Sequence, residues 1–409
     1  MKNKPTNFIS MDIGSSKIAS IAVFMEQNGD VEVTGQNLHY SEGIKSSVVT
    51  DLAQAENTIL QAVYSLEQES GMAINEAAIS LSGYGTKSYY LHNKMRINDG
   101  KISQHDVHKL IQKTLSGFNI PEYQIIHYFP VEFSIDSGDI VDDPVGMISN
   151  ELLCRVHVVA ANSNMLINLA NCLAKCQLEI HGVVLAIYAS GIACLTEDEK
   201  KLGSLIIDFG ARTTSFAIFL GGKMIYSGHV PIGGWHITSD IAKAFSVNFS
   251  TAEKLKILYG STSDSTLTST NAISIDDGDG NEINITVGDL THVIYPRIQE
   301  MLELLKAEYD RVNIDYLISR RVVLTGGGSM LKGIKEIACM QFAKQVRIAK
   351  PKIFHGFAED YNPGIYSTSI GIIEAYVNRQ RKNHNPSLDN YNIRQGFGSR
   401  ILSWFRDNI

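Results

Sequence analysis

Two segments far apart in the chain share one form: an apolar β-type run, an aspartate, one apolar residue, a glycine and small hydroxyl residues. The first is Phe8-Ile-Ser-Met-Asp12-Ile-Gly14-Ser15-Ser16-Lys17, and the second is Ser204-Leu-Ile-Ile-Asp208-Phe-Gly210-Ala-Arg-Thr213-Thr214. A third run, Val322-Val-Leu-Thr, ends in Gly326-Gly327-Gly328-Ser329. A turn that presses its backbone N–H groups against phosphate oxygens has no room for bulky β-carbons, and glycine and serine meet that demand. An aspartate at a strand end beside such a turn can hold the waters of a magnesium ion, which takes few protein carboxylates. Asp12 and Asp208 would flank the metal. A lone Asp-x-Gly is merely a strand followed by a turn, but the three pieces in this order predict two facing hairpins and a glycine shelf around a nucleoside triphosphate.

The elements that must position these loops are predicted from periodicity. Strand runs alternate with helical patterns, an α/β arrangement. Residues 51–70 predict an amphipathic helix with Leu52, Ala55, Ile59, Leu60, Val63 and Leu66 on one face, followed by a strand over 77–82. Residues 84–161 have their own pattern (a strand near 87–92, a helix near 103–115, strands near 125–135 and 151–161) and predict an inserted α+β unit. A helix near 163–177 and the run 182–191 return the chain to the first domain, formed by 1–83 and 162–202. The second domain takes 203–235 and 320–380, with 236–319 as its outer subdomain. The polar stretch 260–282 predicts a solvated loop or hairpin.

These segments resemble the actin-like ATPase superfamily, and within it the bacterial cell division FtsA family. The strings Pro231-Ile-Gly233-Gly234-Trp-His-Ile-Thr-Ser-Asp240, Ala252-Glu253-Lys-Leu-Lys256-Ile-Leu-Tyr-Gly260, Val293-Ile-Tyr-Pro-Arg297-Ile-Gln-Glu300 and Met330-Leu-Lys-Gly333-Ile carry the resemblance, which covers roughly residues 8–380. It implies a ribonuclease-H-like two-domain fold with a nucleotide cleft binding ATP and Mg, and it adds Gly233 and Gly234 to the site. By similarity to the matching helix of the heat-shock chaperone ATPase domain, Glu253 and Lys256 would touch the adenosine; the other reading is an exposed charged helix face. An insertion at 84–161 favours this family over the rod-shape actin homologues. The resemblance further implies that the outer subdomain receives the C-terminal tail of the tubulin-like FtsZ, that the inserted subdomain contacts other division proteins, and that the chain self-associates into filaments at the division site. The second hairpin departs from the family's Asp-Ile-Gly-Gly-Gly-Thr-Thr-Asp, having Ala211, Arg212 and Ser215 instead. Arg212 either supplies charge to a phosphate or crowds the loop away from one. Turnover is expected to be slow at most, and no general base is assigned.

Composition bounds the rest. At 409 residues the chain is long enough for two or more domains, and 44% hydrophobic with 19% charged residues describes a globular chain. A net charge of −7 argues against a general nucleic-acid binder. No secretory leader pattern precedes the first strand, and no run reaches the ~18 apolar residues of a spanning helix, so a cytoplasmic location is expected. Five cysteines, mostly in apolar neighbourhoods, predict no disulfides. Cys172 and Cys176, four apart on a helix, are read as core residues.

The polar segment 381–395, broken by Pro386, predicts a flexible linker. Residues 396–409 then predict an amphipathic helix: at about 100° per residue Phe397, Ile401, Leu402, Trp404, Phe405 and Ile409 gather on one side and Arg400 and Arg406 lie opposite. Aromatic rings on one face and cations on the other suit an in-plane anchor near anionic headgroups, and the resemblance implies that the surface is the inner face of the cytoplasmic membrane. The alternative is a helix docked on its own domain. A single anchor of this size binds weakly, and polymerisation would multiply it. The predicted function is an ATP-binding, polymerising division protein that tethers FtsZ to the membrane and recruits later division proteins. A pilus-assembly actin homologue and a sugar or acetate kinase on the same fold are the alternatives.

Overall fold

A computed structural model describes residues 6–26, 29–136, 138–276, 282–313, 321–358 and 362–383. The expected terminal helix, with Phe397, Arg400, Ile401, Leu402, Trp404, Phe405 and Arg406, lies outside the described residues, as does most of the expected linker.

The chain opens with an antiparallel meander, β1 (Thr6–Ile13), β2 (Lys17–Met25) and β3 (Val31–Tyr40), then a short hairpin β4 (Ile44–Lys45) and β5 (Val48–Val49). Helix α1 (Leu52–Ser70) is capped by Asp51, whose side chain accepts from the Gln54 N–H, and stopped by Gly71 at φ 66°. Its buried stripe is Ala55, Thr58, Ile59, Ala62, Val63 and Leu66; Leu52 and Leu60, expected on that face, are exposed, Leu52 as the first residue of the helix and Leu60 because it points about 60° beyond Val63. Strand β6 (Glu76–Leu81) follows.

Next come β7 (Thr86–Arg96), α2 (Gln104–Ser116), β8 (Tyr123–Ile135), β9 (Asp139–Val141) and β10 (Glu151–Asn162). They form a separate sheet, β7-β10-β8-β9, and α2 packs Val107, Leu110 and Ile111 into its own apolar core. The chain returns through α3 (Ser163–Lys175), β11 (Glu179–Leu185), α4 (Ala186–Cys194) and α5 (Glu197–Leu202). Cys172 and Cys176 are free and buried in the core.

A second meander then begins: β12 (Ser204–Phe209), β13 (Thr214–Leu220) and β14 (Lys223–Val230). The outer region holds α6 (Gly234–Phe245), α7 (Phe249–Tyr259), α8 (Asp264–Leu267), the pair β15 (Ala272–Asp276) and β16 (Glu282–Thr286), and α9 (Val287–Arg311). The stretch 260–282 thus contains one turn of helix and one strand of a hairpin. Finally β17 (Arg321–Thr325), α10 (Ile334–Phe342), β18 (Gln345–Ile348) and α11 (Ser367–Asn383) complete the fold; α11 runs past residue 380, where a linker was expected.

The two large sheets have one topology. Their orders are β11-β6-β1-β2-β3 and β18-β17-β12-β13-β14. In each, the meander is antiparallel and the last two strands join parallel to the first strand of the meander. Such parallel strands are apolar on both faces, and β6 and β17 are buried at every position after the first. The halves are joined tightly where α11 crosses α4: a Cβ on Gly371 would lie 1.8 Å from the Ala189 carbonyl oxygen. The inserted sheet docks on β14 through Ser88, whose hydroxyl donates to the Ser227 carbonyl at 2.8 Å, and through Tyr90 and the Ile225 carbonyl. Buried His157 bridges the same seam, with Nδ1 3.0 Å from the Met224 oxygen and Nε2 3.0 Å from Ser88 Oγ. Burial holds its pKa down to about 4 and that of neighbouring His127 down to about 3.

Candidate nucleotide cleft

The equivalent ends of β1 and β12 face each other, because equivalent strands of two like sheets carry the two aspartates. In the first hairpin the Gly14 N–H closes the turn on the Lys17 carbonyl at 3.0 Å. Gly14 is required there, since a Cβ would stand 2.8 Å from that same oxygen. The second repeats the geometry: the Gly210 N–H donates to the Thr213 carbonyl at 3.0 Å, and a Cβ would meet it at 2.8 Å.

Each aspartate is tied on one oxygen. Ser80 in β6 donates to Asp12 Oδ1 at 2.6 Å while accepting from the Ile13 N–H at 3.1 Å. Ser190 in α4 donates to Asp208 Oδ2 at 2.9 Å and lies 3.1 Å from the Thr368 hydroxyl. Burial pushes the Asp208 carboxyl up to about 6, and the negative charge of Asp12 adds to it, against the Ser190 bond and the Lys17 charge. Burial raises Asp12 as well, opposed by Ser80 and Lys17. Lys17 is lowered by burial and held up by both aspartates. Its ammonium reaches over the cleft, 3.9 Å from where a Cβ of Gly327 would be. Two carboxylates and one ammonium therefore share a half-buried space, an arrangement that favours further charge to balance it.

The glycine shelf closes one side. Gly326 has φ 81°, and a Cβ on it would stand 2.2 Å from Asp208 Oδ1. Gly327 and Gly328 continue into a short 3-10 turn, and the Ser329 hydroxyl is spent on the Gly326 carbonyl at 2.7 Å. Ser15 accepts from the Ser46 N–H at 2.6 Å, and the Ser16 carbonyl accepts from the Ser41 N–H at 3.0 Å. Ser46 and Ser47 both take positive φ, so the β4–β5 turn folds over the first hairpin.

Other expected site residues have structural duties. Thr214 is fully buried and donates to the Ile232 carbonyl at 2.8 Å, and Thr213 is buried. Gly233 and Gly234 let α6 start against the second hairpin, with the Gly234 N–H on the Gly210 carbonyl at 3.0 Å. Lys256 is neither exposed nor free: its ammonium bonds the Gly234 carbonyl at 3.1 Å, Thr238 at 2.9 Å and Glu253 at 2.7 Å. It fastens α7 to α6 at the cleft's edge, and the half-exposed Glu253 is its partner. Sequence reasoning missed Ser80 and Ser190; the one signal was a lone hydroxyl inside an apolar run.

A hard cation suits the donor set. Among the described residues no cluster of three or more His, Cys, Asp or Glu surrounds a metal position, but Mg keeps most of its waters and takes one or two carboxylates. Asp12 Oδ2 and Asp208 Oδ1 are the oxygens left for it.

Two like sheets meeting over paired aspartate hairpins and a glycine shelf define an actin-like fold with a cleft between the hairpins. Solved structures agree on the fold: a PilM-PilN type IV pilus biogenesis complex has TM-score 0.63 at 16% identity, covering 89% of this chain and 96% of that one. MreB5 of Spiroplasma citri bound to ADP has TM-score 0.52 at 13% identity, covering 93% and 98%. The residue pattern described as Cell division protein FtsA matches 205–371, and that of the SHS2 domain inserted in FTSA matches 83–160. Cell division protein FtsA of Pseudomonas aeruginosa is 30% identical over 383 residues, 91% of this chain and 89% of its own length; that of Neisseria meningitidis is 29% identical over 405 residues, 98% of each. The chain belongs to the cell division protein FtsA family.

Proposed function

We propose that the protein binds ATP with Mg between its two hairpins, polymerises on the inner face of the cytoplasmic membrane at the division site, and there tethers FtsZ and recruits later division proteins. The observation that carries the nucleotide part is the convergence of Asp12, Asp208 and Lys17 on one half-buried space beneath a glycine shelf. When bound, Mg would neutralise phosphate charge; Asp12 and Asp208 would hold its waters, Lys17 would meet a phosphate oxygen, and Gly14, Gly210 and Gly326–Gly328 would leave room for the triphosphate and sugar. Ser215 stands where the family usually has an acid, so slow hydrolysis or none goes with this reading.

Family membership supports the division role, and the amphipathic pattern of residues 396–409 supports attachment to an anionic lipid surface. Among the described residues no helix is long and apolar enough to cross a membrane. FtsZ's C-terminal tail is assigned to the outer subdomain and other division proteins to the inserted one, both by family likeness.

The test is a titration of the full chain with fluorescent ATP and Mg, followed by phosphate release and sedimentation with anionic vesicles. Micromolar or tighter binding, little release, and vesicle sedimentation lost on deleting 396–409 are expected. Rapid turnover dependent on a small acceptor would replace this reading with a kinase.

A further inference from the structure

The second hairpin carries a cation that the cleft chemistry does not use. Arg212 sits at the tip of the β12–β13 turn with its guanidinium carbon 4.1 Å from the centre of the Trp235 ring. Trp235 is the second residue of α6, and its ring stacks on Phe249, the first residue of α7, at 5.9 Å with the planes 15° apart. No carboxylate among the described residues pairs with Arg212, so the ring faces supply its partner.

Backbone bonds run the same way. The Gly234 and Trp235 N–H groups, which at a helix start have no partner within the helix, donate to the Gly210 and Ala211 carbonyls at 3.0 and 2.7 Å. Gly233 sits so close that a Cβ would meet the Gly210 oxygen at 2.5 Å. The tip is held from outside, by a helix end and a stacked cation, and any displacement of residues 210–213 must be accommodated at α6 and α7.

We propose that Arg212 is a positioning residue that clamps the tip of the second hairpin onto Trp235, and that the Arg212–Trp235–Phe249 stack carries the hairpin's position to α7 in the outer subdomain. The transmission half rests on the reading of the cleft as a nucleotide site; the clamp does not. A phosphate seated against residues 210–213 shifts the guanidinium over the indole, changing its emission, and the indole passes the shift to Phe249, which is 54% exposed on the surface.

The chain has two tryptophans, so the full chain carrying Trp404→Phe reports on Trp235 alone. Without nucleotide, hydrogen exchange at the Gly234 and Trp235 amides is compared in this parent, in Arg212→Ala and in Arg212→Lys. Exchange about fivefold faster in the alanine variant, with recovery in the lysine variant, is expected from a stacked cation of this exposure. Mg-ATP is then added, with occupancy followed by displacement of a fluorescent analogue and Trp235 emission read in parallel. The emission change should appear in the parent and in Arg212→Lys and be lost in Arg212→Ala at equal occupancy. Equal exchange in all three proteins overturns the clamp. A full emission response in Arg212→Ala overturns the transmission. Absence of nucleotide binding in the parent overturns the nucleotide reading and the transmission together, while the exchange comparison still decides the clamp.

Discussion

The first and second hairpins occupy equivalent positions in like sheets, yet they are held differently. The first is steadied by hydroxyls: Ser15 takes the Ser46 N–H, Ser80 takes the Ile13 N–H, and Lys17 projects across the cleft. The second has Ala211 and Arg212 at its tip and is pinned by α6 and a ring stack. Strand pairing and burial constrain the sheet below a turn, whereas the tip answers only to its own contacts, so one topology supports one tip that reaches inward and one that is gripped from behind.

The strongest way to break this comparison is to disturb the shelf that both hairpins face. Gly326→Ala combines a positive φ with a Cβ 2.2 Å from Asp208 and should cost about 3 kcal/mol or more, together with nucleotide binding; denaturant melting and titration check it. Next, Lys17→Met keeps the side-chain stem and removes the reaching charge. Nucleotide affinity should fall roughly 10–100-fold, measured by calorimetry, while Arg212→Ala should leave it within about threefold.

The aspartates sharpen the contrast through pH. Asp208, raised to about 6 from 3.8, contributes stability that is full below about pH 4 and is lost as pH rises through 6. The free protein should therefore lose on the order of 2 kcal/mol from this group between pH 4 and 7, and Asp208→Asn should flatten that slope in urea melts. Mg-dependent nucleotide affinity should show the opposite slope, weakening as pH falls through 6. Smallest are the serines. Ser80→Ala leaves both Asp12 and the Ile13 N–H without a partner and should cost about 2 kcal/mol, against about 1 kcal/mol for Ser190→Ala; equal costs would mean that the two aspartates are held alike.

The strands and turns of the two hairpins were legible because they rest on local pattern: apolar runs ending in Asp-x-Gly predict strand and turn without any partner, while the actin-like two-domain arrangement came from the family resemblance. The duplicated topology followed from finding the pattern twice. What was hidden depends on contacts distant in sequence. Ser80 meets Asp12 across parallel strands, and Ser190 meets Asp208 from a helix in the other half. Leu60 points outside the buried arc, and Leu52 has the periodicity of a buried residue but sits at the first position of the helix, where it is exposed. Lys256 was legible as either a ligand or a surface charge, and its burial against the Gly234 carbonyl removes the surface-charge reading. Arg212 was readable as a departure, but its stacking on Trp235 needed the fold.

The helix α11 has a mechanical consequence. Its first turn is tied to three places at once: the Ser367 hydroxyl is 2.8 Å from Thr325, Thr368 meets Ser190, and Ser369 donates to the Ala19 carbonyl at 2.8 Å. Its 17 residues form a rod of about 25 Å, pressed along α4 at Gly371 with no gap to take up slack. A load applied at the far end of this helix is therefore borne in shear along the α4–α11 contact and delivered at the hydroxyls around Asp208.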